Sequence, residues 1–155
     1  NFVNINLERK QRNLISRRIR MTRKANLQEF NYFVTFTYAN DKHTEESFKK
    51  KLLNTLKHFA NRKGWRYMGV WERGAKTERL HFHALVKIPE GTMPGQLEEV
   101  SDFNIKTHQH KKTVQNTFFN KKFGRSDFEL VIQHPRAYIE AVEYILMKLI
   151  NGLNF

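Results

Sequence analysis

Cysteine is absent from the 155 residues, so disulfides and thiolate metal sites are excluded and the redox compartment stays open. Proline occurs three times and glycine seven, and neither gathers into a linker or a low-complexity segment. No run approaches the roughly 18 apolar residues of a membrane span, and no secretory signal pattern opens the chain. It begins with Asn rather than Met, as an excised or processed piece of a longer protein would. A soluble intracellular protein with no membrane partner is expected. Acidic residues are the other shortage. Fifteen Asp and Glu face 28 Lys and Arg, a formal charge of +13 with a pI near 10.1. Such a surplus points to a polyanionic partner, most often nucleic acid, whose phosphates dominate affinity. The length fits one domain over residues 1–155, and such a domain buries roughly 68–70% of its unfolded surface.

Eight Arg or Lys lie among the sixteen positions of "RKQRNLISRRIRMTRK" (9–24), with Ile15 and Ile19 as a thin apolar stripe. This reads as a basic helix over roughly 7–27, an arm for phosphates through Arg17, Arg18, Arg20 and Arg23. "NYFVTFTY" (31–38) is aromatic and β-branched, a strand with Tyr32, Val34 and Phe36 on one face and Phe33, Thr35 and Thr37 on the other. A long helix follows, capped by Thr44 and stopped at Gly64, with Phe48, Leu52, Leu56 and Phe59 as its core stripe. "WRYMGVWE" (65–72) and "RLHFHALVKI" (79–88) are further strands, and Pro89, Gly91, Pro94 and Gly95 mark a loop. Residues 96–123 read poorly, as a helix with irregular connections. "DFELVIQ" (127–133) is a last strand, and Pro135 suits the first position of a closing helix over 135–150. The order β-α-β-β-(α)-β-α predicts an α+β domain with helices against one face of an antiparallel sheet.

His81 and His83 share one face of their strand, while Phe82 points the other way. A hairpin turn centred on Lys76 and Thr77 sets Glu72 opposite His81; a two-residue shift sets it opposite His83. Both registers keep Glu72 on the histidine face, and the apolar set Leu80, Phe82, Ala84 and Val86 opposes a one-residue slip. Two imidazoles and a carboxylate then reach toward one point, a three-ligand site with positions open to water or phosphate oxygens. "HQH" at 108–110 has the same spacing but polar, lysine-rich surroundings, and an exposed loop without metal is expected there. His43, His58 and His134 have no partner at ligand spacing.

On the closing helix Tyr138 falls within the stripe Val142, Ile145 and Leu149, a core position. Tyr144 and Lys148 are stacked on another face, beside the small Ala137 and Ala141. A tyrosine beside a lysine and facing a metal suits nucleophilic attack on phosphorus, because the cation favours the phenolate and the metal polarises the phosphate.

"YFVTFTY", "ERGAKTERLHFHALV" and "YILMK", in this order, resemble the three motifs of HUH endonucleases, specifically rolling-circle replication initiators of phage and plasmid type. The basic "RRIRMTRK" ahead of the first strand resembles the phage-type members. The resemblance implies a palm shared with RRM-like folds, built on an antiparallel sheet of about five strands. It implies Glu72, His81 and His83 as ligands of Mn²⁺ or Mg²⁺, Tyr144 as nucleophile and Lys148 as the motif lysine. Thr35, Thr37, Arg79 and Lys87 join the arm as candidate DNA contacts. The implied reaction nicks and rejoins single-stranded DNA, at an origin or hairpin, through a 5′-phosphotyrosine with a free 3′-OH. It would take place in the cytoplasm of a bacterial host, whose helicase or replisome would be a further partner. No Walker-type phosphate loop is present, so these residues carry no helicase of their own. Two other readings meet the same residues: a single-tyrosine HUH transposase, and a non-catalytic RRM-like domain whose aromatics stack on bases.

Overall fold

The computed structural model describes residues 2–152, and the side chains of residues up to 149. Its elements run α1 (Phe2–Gln28), β1 (Tyr32–Tyr38), α2 (Glu45–Lys63), β2 (Arg66–Arg73), β3 (Leu80–Lys87), β4 (Leu97–Asn104), β5 (Gln109–Asn116), α3 (Thr117–Lys122), β6 (Gly124–Leu130) and α4 (Pro135–Gly152). The α+β class and the antiparallel sheet are as expected. The main sheet has four strands in the order β2-β3-β1-β6, and β4 pairs with β5 in a separate ribbon beside β6. The stretch 96–123 is therefore mostly strand rather than helix. Its strands escaped the periodicity reading because "LEEVSDFN" and "QHKKTVQN" are polar on both faces, with no alternation to detect. The strand expected at 127–133 begins and ends three residues earlier.

Helices cover both faces of the sheet, not one. On one face α2 lays Phe48, Leu52, Leu56 and Phe59 over Val34, Phe36, Phe82, Ala84 and Val86, and Trp65, Phe119 and Phe123 complete this core. Side chains of this size stabilise by roughly 1.5–3 kcal/mol each when fully buried. The start of α2 is fixed by a capping box in which Thr44 and Ser47 exchange hydrogen bonds, and Gly64 ends it at φ 74°. On the opposite face Leu85, Val70 and Val131 receive Ala141, Val142, Ile145 and Leu146 of α4, with Ala25 of α1 and Phe30. Leu85 shares strand parity with the two histidines, so the histidine face is itself a core at one end. This is the feature that draws α4 across the sheet.

The arm helix begins at Phe2, earlier than expected, and its inward residues are Leu14, Met21 and Ala25. Ile15 and Ile19 point to solvent, at 60% and 47% exposure, so the apolar stripe lies on the neighbouring face.

Candidate active site

The β2–β3 hairpin has the register that its turn predicts: Glu72 lies opposite His81 and Val70 opposite His83. Gly69 makes this close pairing possible, since a Cβ there would stand 2.7 Å from the Phe82 ring and 2.8 Å from the His83 carbonyl oxygen. Across the other edge of β3, Thr35 of β1 pairs with His83. The Thr35 hydroxyl is 3.0 Å from His83 Nδ1, and the Thr37 hydroxyl is 2.9 Å from His81 Nδ1. Both Nδ1 atoms are thus occupied by hydroxyls. A hydroxyl can accept Nδ1–H or donate to a bare Nδ1, so each ring can present Nε2 as a lone pair or as a donor. Burial pushes the pKa of both imidazoles down, against the nearby Glu72 charge that favours protonation.

Glu72 is the hub. Its Oε2 lies 3.3 Å from His83 Nε2, so its nearer imidazole is the diagonal neighbour and not the cross-strand partner. Tyr144 donates its phenolic O–H to Glu72 Oε2, and Lys148 Nζ lies 3.0 Å from Oε1. Burial works to raise the Glu72 pKa, but the hydrogen bonds from Tyr144 and Lys148 and the Lys148 charge outweigh it and hold the carboxyl below its ordinary range. Tyr144 moves the opposite way. Burial and the Glu72 carboxylate push its pKa up to about 12. The direct effect of Lys148 on the phenol, expected from spacing, is not what this arrangement displays: the ammonium bonds Glu72, with Nζ 5.7 Å from the Tyr144 ring centroid. Tyr144 is held as the neutral phenol.

Tyr138, on the inward face of the same helix, donates to the Ala25 carbonyl at 2.6 Å. The remaining candidates lie apart. Arg17, Arg18, Arg20 and Arg23 are exposed along α1. Arg79 braces the chain after β1, with Nε on the Tyr38 carbonyl at 3.2 Å, Nη2 on Asn40 at 2.7 Å and its guanidinium over the Tyr38 ring. Lys87 sits at the far end of β3, opposite Arg66. His108 lies in the β4–β5 turn and His110 in β5, so this pair belongs to a ribbon rather than a loop, and both side chains are exposed. His43 bonds Ser47 at 3.0 Å and the Lys122 carbonyl at 2.8 Å.

A cleft of about 250 Å³ opens beside Tyr144 between β1, β6 and α4. Phe33, Glu129 and Glu140 line it, and none of the three was among the sequence candidates. Phe33 carried a signal, since it shares strand parity with Thr35 and Thr37. Glu129 and Glu140 carried none.

A divalent cation at this site would need two imidazoles and a carboxylate. Among the described residues no three His, Asp, Glu or Cys side chains converge to hold a metal as they stand, because Glu72 is turned to Tyr144 and Lys148. The donor chemistry nevertheless fits. Both Nδ1 atoms are already braced, as metal-binding histidines usually require. Gly74 leaves room beside the first ring, since a Cβ there would sit 3.3 Å from His81 Nε2.

Residues 31–147 match the family of replication-associated proteins of the ORF2 type, well over half of the chain. The chain belongs to that family, a group of rolling-circle replication initiators, and its function accordingly lies in DNA replication. No curated protein and no solved structure matches it. No helix among the described residues is long and apolar enough to cross a membrane.

Proposed function

We propose that residues 1–155 form one nicking domain, a metal-dependent endonuclease of the HUH type that cuts and rejoins single-stranded DNA to initiate rolling-circle replication. The observation that carries this reading is the meeting of Tyr144, Lys148 and His83 on the one carboxylate of Glu72. A structural tyrosine on a half-exposed helix face has no need of a lysine, a histidine and a partly buried carboxylate around its hydroxyl.

His81, His83 and Glu72 would hold Mn²⁺ or Mg²⁺, which when bound would polarise the scissile phosphate. Thr35 and Thr37 keep the two imidazoles oriented and supply the hydrogen bond that leaves each Nε2 free as a ligand. Tyr144 Oη attacks phosphorus, the bond from phosphorus to the 3′-oxygen breaks, and the DNA leaves with a 3′-OH that takes up a proton. A 5′-phosphotyrosine remains on the chain, and reversal of the same steps rejoins the strand. The phenolic proton must depart first, and the bond to Glu72 already directs it at a carboxylate. Once Glu72 turns from the phenol, it no longer raises the phenol's pKa, and Lys148 is free to favour the phenolate. Glu72 thereby acts as a latch between a resting phenol and an attacking one. The arm residues Arg17, Arg18, Arg20 and Arg23 and the strand-end Lys87 would hold phosphates, while Arg79 would act mainly by shaping the loop after β1.

The test is covalent. Incubation with pooled single-stranded DNA and Mn²⁺ should give a denaturation-resistant adduct, and fragmentation of the tryptic peptide Ala137–Lys148 should place the nucleotide on Tyr144. Attachment to Tyr138 would overturn the assignment of the nucleophile. No adduct with any divalent metal and any single-stranded substrate would favour a binding domain without chemistry.

A further inference from the structure

The β4–β5 ribbon takes no part in the site around Glu72. Its base is anchored to the body by Thr113, Gln115 and Asn116, all buried, with the Asn116 N–H donating to Ser126 Oγ at 2.9 Å. Its other end projects. There Ile105 is 78% exposed and Phe103 52% exposed, in a stretch that contributes nothing to either core.

Between the projecting end, β6 and the β2–β3 turn lies an open groove of about 740 Å³. Lys76, Lys106, Lys111 and Arg125 line it against a single acid, Asp102. That acid is already paired with Arg125 at 2.6 Å. The three lysines form no ion pair among the described residues, so the groove carries uncompensated positive charge. It is also continuous with the site. Lys76 stands two residues from Gly74, where an added Cβ would meet His81 Nε2, and Arg125 lies opposite Thr37, which holds His81 Nδ1.

A cationic groove rimmed by an exposed aromatic and an exposed aliphatic side chain fits a polyanion that also presents flat apolar faces. Unpaired nucleotides meet this description, while a paired duplex hides its base faces. We propose that this groove is a second subsite for single-stranded DNA. It grips the backbone that flanks the scissile phosphate through Lys76, Lys106, Lys111 and Arg125, and offers Phe103 to an unpaired base. The inference rests on the nicking reading for the identity of the flank, and not for the chemistry of the groove.

The experiment uses the Tyr144→Phe chain, which cannot form an adduct, and fluorescein-labelled single-stranded DNA of mixed sequence. Adding Lys76→Ala, Lys106→Ala and Lys111→Ala together should weaken binding at least tenfold in moderate salt. It should also flatten the dependence of log affinity on log salt by about 2, at roughly 0.7 for each phosphate released. Phe103→Ala alone should weaken binding about tenfold with the salt slope unchanged, as removal of a base–aromatic stack does. Photocrosslinking of DNA carrying 5-iodouracil should label the peptide that contains Phe103. Wild-type affinity and slope in the triple variant would overturn the proposal, as would losses confined to duplex DNA. Adduct formation by the chain with Tyr144 intact is scored separately. An adduct with an unchanged triple variant leaves the nicking reading standing and removes the groove; weakened binding without any adduct does the reverse.

Discussion

The chain holds two His-x-His pairs, and the structure gives them opposite surroundings. His81 and His83 lie within β3, in the middle of a four-stranded sheet, with a threonine hydroxyl on each Nδ1 and α4 lying over one end of their face. His108 and His110 lie at the tip of a two-stranded ribbon, the first in a turn at φ 52°. Their rings rest against the exposed Phe103, and their one side-chain hydrogen bond among the described residues is long, Ser101 Oγ to His110 Nδ1 at 3.4 Å. The spacing is identical. What separates the pairs is the neighbouring strand: β1 supplies hydroxyls at the depth of each imidazole, whereas β4 supplies Phe103 opposite His110. Spacing proposes a ligand pair, and the flanking elements decide whether its rings are held in a ligating orientation.

The sharpest way to break this comparison is to remove the rings. His81→Ala and His83→Ala should each abolish metal-dependent adduct formation, scored on denaturing gels, while most DNA affinity survives because phosphate contacts elsewhere carry it. His108→Ala with His110→Ala should leave metal affinity, measured by titration calorimetry with Mn²⁺, unaltered. A large loss in the second pair would show that the ribbon, not the sheet, holds the metal.

The second prediction removes only the braces. Thr35→Val and Thr37→Val keep the shape of the side chain and delete the hydroxyl that each Nδ1 uses. Partners of this kind typically contribute 10–100-fold to metal affinity or activity, so the double variant should bind Mn²⁺ weaker by about that factor. Thr35→Ser and Thr37→Ser should restore it. Undiminished affinity in the valine pair would reduce the threonines to ordinary strand residues.

Much of this contrast was legible in the sequence, and the limits of that reading are physical. Glu72, His81 and His83 could be placed on one face because a hairpin with a fixed turn has few registers, and an apolar set on the opposite face eliminates the odd ones. The Tyr138 and Tyr144 faces followed from helical periodicity. The threonine braces were not legible as such: Thr35 and Thr37 stood out as polar residues on an aromatic strand, but their partners are set by the pairing of β1 with β3, a long-range fact with no local signature. The same applies to Lys148. Spacing put it next to Tyr144, and only the position of α4 over the sheet shows that it bonds Glu72 instead. The ribbon was invisible because its strands bury almost no alternating face.

The two tyrosines of α4 repeat the comparison at smaller scale. Tyr138→Phe removes a part-buried hydroxyl from the Ala25 carbonyl and should cost about 1 kcal/mol of stability by chemical denaturation, with the adduct still forming. Tyr144→Phe, at a half-exposed position, should change stability by less than about 0.5 kcal/mol while eliminating the adduct. Equal stability losses would mean that both hydroxyls serve the fold.

The smallest effect sharpens the contrast from the other side. His108 adopts φ 52°, a left-handed conformation that the Cβ of an ordinary residue resists and glycine accepts freely. If its ring contributes only a loose contact with Phe103 across 6.4 Å between centroids, the backbone preference should dominate on substitution. His108→Gly should therefore raise stability slightly, by on the order of 0.5 kcal/mol, since relief of the strained φ exceeds the extra entropy of a glycine in the unfolded chain. The corresponding change in β3, His81→Gly, would remove a side chain from a strand interior, weaken the strand by roughly 0.5–1 kcal/mol relative to alanine, and strand the Thr37 hydroxyl. Thermal unfolding of the two glycine variants side by side gives opposite signs if the ribbon histidine is a turn residue and the sheet histidine is part of a built site. A loss of stability at both positions would mean that the ring of His108 is held by more than its turn.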